Sequence, residues 1–145
     1  MKVLYKSGFA FVLVSWLIFI GCSPRPRFTD NPAYVSNARG SFRVGQIWTG
    51  VASYYGSEFH GRRTACGETF DMNAITAAHR ELPFGSILKV ENLDNGRVVK
   101  VRVNDRGPQK RKRILDLSFG AARELDMVSE GVANVKIELV SVGDQ

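Results

Sequence analysis

Short runs of alternating apolar and polar residues recur along the chain from Ile47 onward. In the segment 97–103 the valines at odd positions form one face, whereas Lys100 and Arg102 lie on the other. A period of two residues is typical of a strand with one buried face. The sequence predicts six such strands, at 47–55, 74–77, 86–92, 97–103, 113–117 and 134–141.

Turn and capping residues separate these runs. Asp94-Asn95-Gly96 predicts a hairpin between the third and fourth strands, because Asn and Gly tolerate positive φ at both central positions. Ser118 is predicted to cap a helix at 119–125, and the ambiguous segment 70–79 has room for one further helical turn. Short strands separated by Gly-rich turns favour a mainly-β chain that folds as a small barrel with one or two short helices.

The first residues have the layout of a secretion signal. Two lysines precede an apolar stretch at 9–20, which ends at Gly21-Cys22. A basic start, a short apolar segment and a small residue at the cut predict a signal peptide over residues 1–21. The apolar stretch is short for a membrane span, and an uncleaved anchor helix is the alternative.

Residues 19–22 resemble a bacterial lipobox, in which the cysteine is acylated and becomes the new N-terminus. Phe19 departs from the usual Leu, and Ser23 in place of Asp resembles the pattern that sorts lipoproteins to the outer membrane. We therefore predict a lipid on Cys22 that holds the domain at the outer membrane, facing the periplasm. Residues 22–46, rich in Pro, Arg, Asn, Ser and Gly, read as a flexible linker before a domain at 47–142.

The net charge limits the classes of molecule that the domain is expected to bind. The formal charge of the chain is +6, and removal of residues 1–21 leaves 18 basic against 14 acidic residues, a charge of +4. A basic domain suits an anionic polymer or a lipid surface as its partner, and secretion argues against nucleic acid. The alternative is a basic face that only contacts solvent.

The cysteine count predicts no disulfide framework. With Cys22 lipidated, Cys66 is a lone thiol.

Two loop carboxylates carry the candidate chemistry. Asp105 lies in the run Asn104–Pro108, where Gly-Pro predicts a tight turn after a strand, and Glu68 lies in a Gly-marked loop. Two such acids with polar neighbours favour acid/base catalysis on a sugar polymer. The alternatives are an Asx-type turn residue at Asp105 and a solvent-exposed turn acid at Glu68. No side-chain cluster has metal-ligand spacing and no phosphate loop occurs, so we expect no metal and no cofactor.

A series of longer motifs extends through the predicted domain: Gly50–Gly56, Phe59–Ala65, Gly67–Met72, Thr76–Arg80, Leu82–Gly85, Asn92–Arg97, Asn104–Pro108 and Ile114–Ser118. In this order they resemble the rare lipoprotein A (RlpA) family, over about residues 50–140. The resemblance implies a six-stranded double-psi β-barrel. It also implies endolytic peptidoglycan transglycosylation, a lyase reaction on glycan strands stripped of stem peptides that leaves 1,6-anhydro-muramic acid ends. The family's essential carboxylates fall on Glu68 and Asp105.

The chain departs from the family pattern in two ways. Many members end in a SPOR domain, and no SPOR domain is expected here, which puts septal targeting in question. Cys66 stands where Asn is usual, beside Glu68. On the resemblance, Asp105 is the acid/base and Glu68 a second carboxylate that stabilises positive charge or orients substrate.

Six further residues are predicted to bind substrate, each with a structural alternative. Two aromatic candidates are His79, for sugar hydroxyls, and Tyr55, for stacking on a sugar ring, although both residue types are also common in packed cores. Arg62 and Arg63 are candidates for the lactyl carboxylate of stripped glycan, and an exposed face is their alternative. The last two, Asn104 and Arg106, flank Asp105, and a structural partner is the alternative for Arg106. For Asp116 we favour a structural role, as a cap or a partner of an arginine.

Two other functions remain open on the sequence. A non-catalytic, expansin-like peptidoglycan-binding lipoprotein would keep the groove and the basic surface but have no turnover. A structural lipoprotein would use the barrel to dock an envelope partner. For the chain itself we expect a monomer, with peptidoglycan glycan strands and the membrane as partners and no nucleic acid.

Overall fold

Six strands close into a barrel in the computed structural model, which describes residues 42–144. The elements are β1 Ile47–Tyr54, a 3-10 turn Ser57–Phe59, β2 Thr76–Ala78, β3 Ile87–Asn92, β4 Val98–Asp105, β5 Arg113–Leu117, helix α1 Phe119–Glu124 and β6 Val132–Ser141. The predicted fold class, a mainly-β double-psi barrel of six strands with one or two short helices, is confirmed.

The strands follow one another around the barrel in the order β1-β5-β2-β4-β3-β6, and β6 pairs with β1 to complete the ring. The pairs β1–β5 and β2–β4 are parallel, and the other four pairs are antiparallel. Closure leaves no unpaired strand edge within the barrel. The ends of β1, β2 and β4 lie near one another, because Tyr54 pairs with Leu117 of β5, while Ala78 pairs with both Asp105 and Asp116.

The barrel interior holds the apolar face of each strand. In β4, Val101 and Val103 are buried while Val98 is exposed, as the alternation predicts. Helix α1 begins after Ser118, whose Oγ accepts a hydrogen bond from the Ala121 N–H at 3.2 Å, so the predicted cap is confirmed. The core residues buried at 2 % exposure or less include Leu82, Leu88, Val90, Leu115, Leu117, Leu125, Met127, Val135, Ile137 and Leu139.

The predicted hairpin between β3 and β4 is present, but its turn differs. Only Gly96 has positive φ, at 75°, and its N–H donates to the Asn92 carbonyl at 2.7 Å. The loop therefore extends over 93–97, longer than the two-residue turn that Asn-Gly favours. The Asn92 side chain explains the difference, since it accepts from the Asp94 N–H and donates to the Leu125 carbonyl below the loop.

A β-bulge interrupts the end of β4. Ala77 pairs with Val103 and the next residue, Ala78, pairs with Asp105, which leaves Asn104 without a partner in β2. A bulge bends its strand and redirects the side chains beyond it. The sequence predicts that the strand stops at Val103 and that Asp105 lies in a turn; instead β4 continues through the bulge and Asp105 is its last residue.

The N-terminal predictions lie mostly outside the described residues. These are the signal peptide at 1–21, the lipid on Cys22 and the linker up to residue 41. The last part of the predicted linker contacts the barrel, since the Gly45 N–H donates to the Leu139 carbonyl at 2.8 Å. Across residues 42–144, no helix is both long and apolar enough to span a membrane.

Gly120 provides a test of how α1 packs. A Cβ at this position would lie 2.3 Å from the Asn73 carbonyl oxygen, a backbone atom. We expect Gly120→Ala to lower the free energy of unfolding by about 2 kcal/mol, although Ala normally stabilises a helix relative to Gly by about 1 kcal/mol. Urea unfolding measures this difference.

The matched control is Arg123→Ala on the exposed side of the same helix. We expect a change within about 0.5 kcal/mol. Equal stability of Gly120→Ala and the parent chain would contradict the close packing of α1 against residues 73–74.

Candidate active site

A small hairpin at 61–70 lies across the end of β4. The Gly61 N–H donates to the Phe70 carbonyl at 2.9 Å, and the Phe70 N–H donates to the Arg62 carbonyl at 2.7 Å. A tight turn follows, in which Gly67, at φ 92°, donates its N–H to the Thr64 carbonyl. The sequence predicts a loop over residues 56–67, whereas the structure has a hairpin that holds its turn, residues 64–67, in a defined position.

Asp105 is held at both carboxylate oxygens. Its Oδ1 accepts the backbone N–H of Ala65 and of Arg106, each at 2.8 Å. Its Oδ2 accepts the hydroxyl of Tyr55 at 3.3 Å. The half-buried carboxyl thus has one oxygen bound by two amides and one oxygen bound by a single hydroxyl.

Glu68 is paired with a cation. Arg102 donates to both carboxylate oxygens, at 2.7 and 2.9 Å, and the Asn104 amide donates to Oε2 at 3.1 Å. The hydrogen bonds from Arg102, and then from Asn104, lower the pKa of Glu68. Glu68 is therefore ionised at neutral pH, and the guanidinium of Arg102 balances its charge.

The two carboxylates belong to one connected arrangement. Besides the Ala65 contact to Asp105, the Cys66 N–H donates to the Asn104 carbonyl at 3.3 Å. Cys66 is a free thiol, and its side chain makes a smaller contribution to the lowered pKa of Glu68. Cys66, which stands where Asn is usual, thus leaves the Glu68 carboxylate bound to Arg102 and Asn104.

A cleft of about 390 Å³ opens beside the ion pair of Glu68 and Arg102. The turn of the hairpin forms one wall, and the end of β6 with the residues after it forms another. Its lining residues are Cys66, Glu68, Phe84, Gly85, Arg102, Ser141, Val142, Gly143 and Asp144. This cleft is open to solvent and reaches the Glu68 side of the arrangement.

His79 follows β2, and its side chain accepts hydrogen bonds from the backbone around it. Its Nδ1 accepts the N–H groups of Glu81, at 3.2 Å, and Leu82, at 3.0 Å. Burial, followed by the positive charges of Arg106 and Arg80, lowers the pKa of His79 to about 4. The ring is therefore neutral at pH 7, with its proton on Nε2. These contacts match the packed alternative, and contact with sugar through Nε2 stays a prediction.

Arg106 is fixed by structural contacts. Its guanidinium donates to the carbonyls of Leu82, at 2.9 Å, and His79, at 3.3 Å. The Cζ atom lies 3.5 Å from the centroid of the Phe84 ring, within cation–π range. Arg106 thus has the structural partners that the alternative interpretation requires. Substrate binding by Arg106 stays a prediction.

The aromatic and arginine candidates extend outward from Asp105. The Tyr55 ring packs against Phe59 at 5.2 Å and against Phe70 at 5.4 Å between centroids. Arg62 lies over the Phe59 ring at 5.4 Å, and Arg63 donates to the Gly67 carbonyl at 2.6 Å. Both arginines are exposed, so they can meet an anionic ligand from the hairpin.

Asp116 is buried beneath this site. It accepts the Ser53 hydroxyl at 2.6 Å, and Arg113 Nε lies 3.4 Å from Oδ1. The predicted pairing of Asp116 with an arginine is confirmed. No group of three His, Cys, Asp or Glu side chains is placed to hold a metal ion anywhere in residues 42–144.

A model of the lytic transglycolase family matches residues 47–137. The chain belongs to this family. The match covers all of the barrel except the end of β6, and it includes every candidate residue of the site described above. The resemblance drawn from the motifs is thereby confirmed.

Curated relatives carry the name endolytic peptidoglycan transglycosylase RlpA. The protein of this name from Campylobacter jejuni is 54% identical over 100 residues, covering 69% of this chain and 36% of the relative. The one from Vibrio cholerae is 49% identical over 121 residues, covering 79% of this chain and 45% of the relative. The chain thus spans less than half the length of these relatives.

Solved structures share the barrel at lower identity. The Streptomyces papain inhibitor has a TM-score of 0.58 and 26% identity, covering 69% of this chain and 99% of the inhibitor. A Clavibacter michiganensis expansin mutant, solved with cellohexaose, has a TM-score of 0.55 and 20% identity, covering 66% of this chain and 51% of the expansin. The likeness to the expansin shows the fold alone.

Arg102 is a site residue that the sequence does not predict. The alternation places it on the polar face of a strand, where a solvated side chain is the usual outcome, but the structure pairs it with Glu68. The available signal was its position two residues before Asn104 on the same face of a strand. Nothing in the local sequence shows that residue 68 lies opposite it.

His79 makes stability depend on pH. Its pKa is about 4 in the folded chain and about 6.5 without the fold, so between these values only the unfolded state binds the proton. The free energy of unfolding should therefore fall as pH drops from 6.5 to 4, by up to about 1.4 kcal/mol per pH unit from this residue. We expect His79→Asn, which can keep an acceptor for the two N–H groups, to remove that slope in urea unfolding.

The matched control is His60→Asn, at an exposed histidine whose Nδ1 also accepts a backbone N–H. This variant leaves the slope due to His79 in place. An unchanged slope in His79→Asn would contradict the neutral state of His79.

Proposed function

We propose that this domain is an endolytic lytic transglycosylase of peptidoglycan, with Asp105 as the acid/base. The observation that carries the proposal is that the two carboxylates have different hydrogen-bond partners. Asp105 has one oxygen bound by two amides and one oxygen bound by a single hydroxyl, while Arg102 keeps Glu68 ionised. Pairs of titratable groups with different environments are typical of acid and base assignments. The names of the relatives agree with this reaction.

The first chemical step breaks the bond between muramic acid C1 and the glycosidic oxygen. Protonated Asp105 donates the proton from Oδ2 to the glycosidic oxygen, which leaves with the bonding electron pair as a hydroxyl of the released sugar. Positive charge then develops at C1. The ionised Glu68 can stabilise that charge, because its carboxylate stays negative throughout the step.

The second step closes the anhydro ring without water. Asp105, now a carboxylate, takes the proton of the muramoyl C6 hydroxyl through Oδ2. The C6 oxygen forms a bond to C1, which gives the 1,6-anhydro end and returns Asp105 to its protonated form. One carboxyl thus serves as acid and then as base, in contrast to the two carboxylates of a hydrolytic glycosidase.

We further propose that the domain acts on glycan strands stripped of stem peptides. Such strands expose a lactyl carboxylate on each muramic acid, and the exposed guanidinium groups of Arg62 and Arg63 suit this charge. We also assign glycan contacts to Asn104, which donates to Glu68, and to His79 and Arg106, which lie near Asp105. We assign each of these substrate-binding roles to a side chain at the end of the barrel that carries the two carboxylates.

Replacement of the acid/base tests the reaction. In Asp105→Asn the amide oxygen can still accept from Ala65 and Arg106, so we expect a normal fold. Release of glycans ending in 1,6-anhydro-muramic acid should fall by about 10²- to 10⁴-fold, because the side chain no longer exchanges a proton. Mass spectrometry of products from amidase-treated peptidoglycan measures this release.

Asp126→Asn is the matched control, since Asp126 is exposed and pairs with Arg97. It should retain wild-type product release. Wild-type release by Asp105→Asn would refute the assignment. Reducing ends without anhydro sugar would identify a hydrolase, and binding of stripped glycan without any product would favour the non-catalytic, expansin-like module.

We also propose that the chain is a lipoprotein of the cell envelope, anchored through Cys22 to the outer membrane and facing the periplasm. The lipobox-like residues 19–22 and the peptidoglycan named for the relatives support this location. Cys22→Ser should lose the acyl chains and move from the detergent phase to the aqueous phase in Triton X-114 partition of expressed protein.

Cys66→Ser provides the control, because it removes the other thiol of the chain and leaves the lipobox intact. It should remain in the detergent phase. Retention of Cys22→Ser in the detergent phase would favour an uncleaved anchor helix instead.

A further inference from the structure

Tyr55 lies between the core of the barrel and Asp105. Its N–H donates to the Leu117 carbonyl at 2.9 Å, so the backbone is tied to the end of β5. Its hydroxyl donates to Asp105 Oδ2 at 3.3 Å. Since Oδ2 is the oxygen that exchanges the proton in the proposed reaction, Tyr55 contacts the reacting end of the acid.

The ring of Tyr55 is held on more than one side. Phe70, which is buried, meets it nearly edge-on, at 73° between ring planes, and Phe59 meets it at 51°. This packing fixes the direction of the hydroxyl and leaves the ring half-buried. The predicted stacking of Tyr55 on a sugar ring stays a prediction.

The surroundings of the hydroxyl keep it protonated. Burial, followed by the negative charges of Asp105 and Asp116, raises the pKa of Tyr55 well above its usual range, and only Arg113 acts in the opposite direction. Asp116 is itself occupied by Ser53 and Arg113. The hydroxyl is therefore a permanent donor, and Asp105 Oδ2 is the acceptor that the geometry gives it.

We propose that Tyr55 is a positioning residue, whose hydroxyl fixes the direction of Asp105 Oδ2 for proton exchange with the glycan. The proposal rests on the transglycosylase function proposed above. Oδ1 is bound by two amides and Oδ2 by the hydroxyl, so hydrogen bonds at both oxygens oppose rotation of the carboxyl plane. When Oδ2 gives up its proton, the hydroxyl donates into the new negative charge, and such charge-assisted hydrogen bonds are the stronger kind.

The experiment compares Tyr55→Phe with Tyr54→Phe in the full mature chain. Both variants lose one hydroxyl and keep the ring, but the Tyr54 hydroxyl donates to the Val128 carbonyl at 3.1 Å, away from the carboxylates. On stripped glycan oligosaccharides we expect Tyr55→Phe to lower kcat about 10- to 100-fold with KM within about twofold. Tyr54→Phe should keep wild-type kcat and KM, and both variants should keep the melting temperature within a few degrees.

The outcomes separate this inference from the proposed function. An unchanged kcat in Tyr55→Phe, or a raised KM at unchanged kcat, would overturn positioning, and the raised KM would indicate direct contact with the sugar. Absence of anhydro product from the wild-type chain would instead reject the transglycosylase. Crystal structures of both variants decide positioning even then: a turned Asp105 carboxyl only in Tyr55→Phe supports it, and an unmoved carboxyl overturns it.

Discussion

The candidate site depends on two backbone amides that bind one oxygen of Asp105. A hydrogen bond contributes about 0.5–1.5 kcal/mol to stability, and more when one partner is charged. One of these amides belongs to Ala65, so the same contact holds the 61–70 hairpin against the end of β4. It therefore decides which oxygen of Asp105 is available, and it brings Glu68 within reach of Arg102. A displaced hairpin would affect both carboxylates together.

The barrel provides the rigidity that this arrangement needs. Tyr55 follows β1, His79 follows β2 and Asp105 ends β4, and the strands around them form a closed ring. A closed ring of paired strands resists shear between neighbours, so side chains at adjacent strand ends keep their separation. A site built on strands holds its side chains more precisely than a site built on loops. Of the two site carboxylates, Glu68 comes from the hairpin and Asp105 from a strand.

Several parts of the architecture were predictable because their physical causes are local. Alternating valines define β4, Ser118 caps α1, and the family motifs name Glu68 and Asp105. The roles of single side chains were less accessible. For Tyr55 and Arg106 the sequence leaves both sugar contact and a structural role open, because an aromatic or a cation beside an acid fits several roles until its neighbours are known.

The sequence by itself determined the approximate positions of the strands and the helix cap, because each follows from residues close together in the chain, and its motifs singled out the two carboxylates. Only the tertiary structure decided which atoms meet: Ala65 with Asp105, Arg102 with Glu68, and Tyr55 with Oδ2. These contacts join residues far apart in sequence. They depend on the bulge at Asn104 and on the closing of the barrel, which result from the packing of all six strands and leave no mark in any single segment.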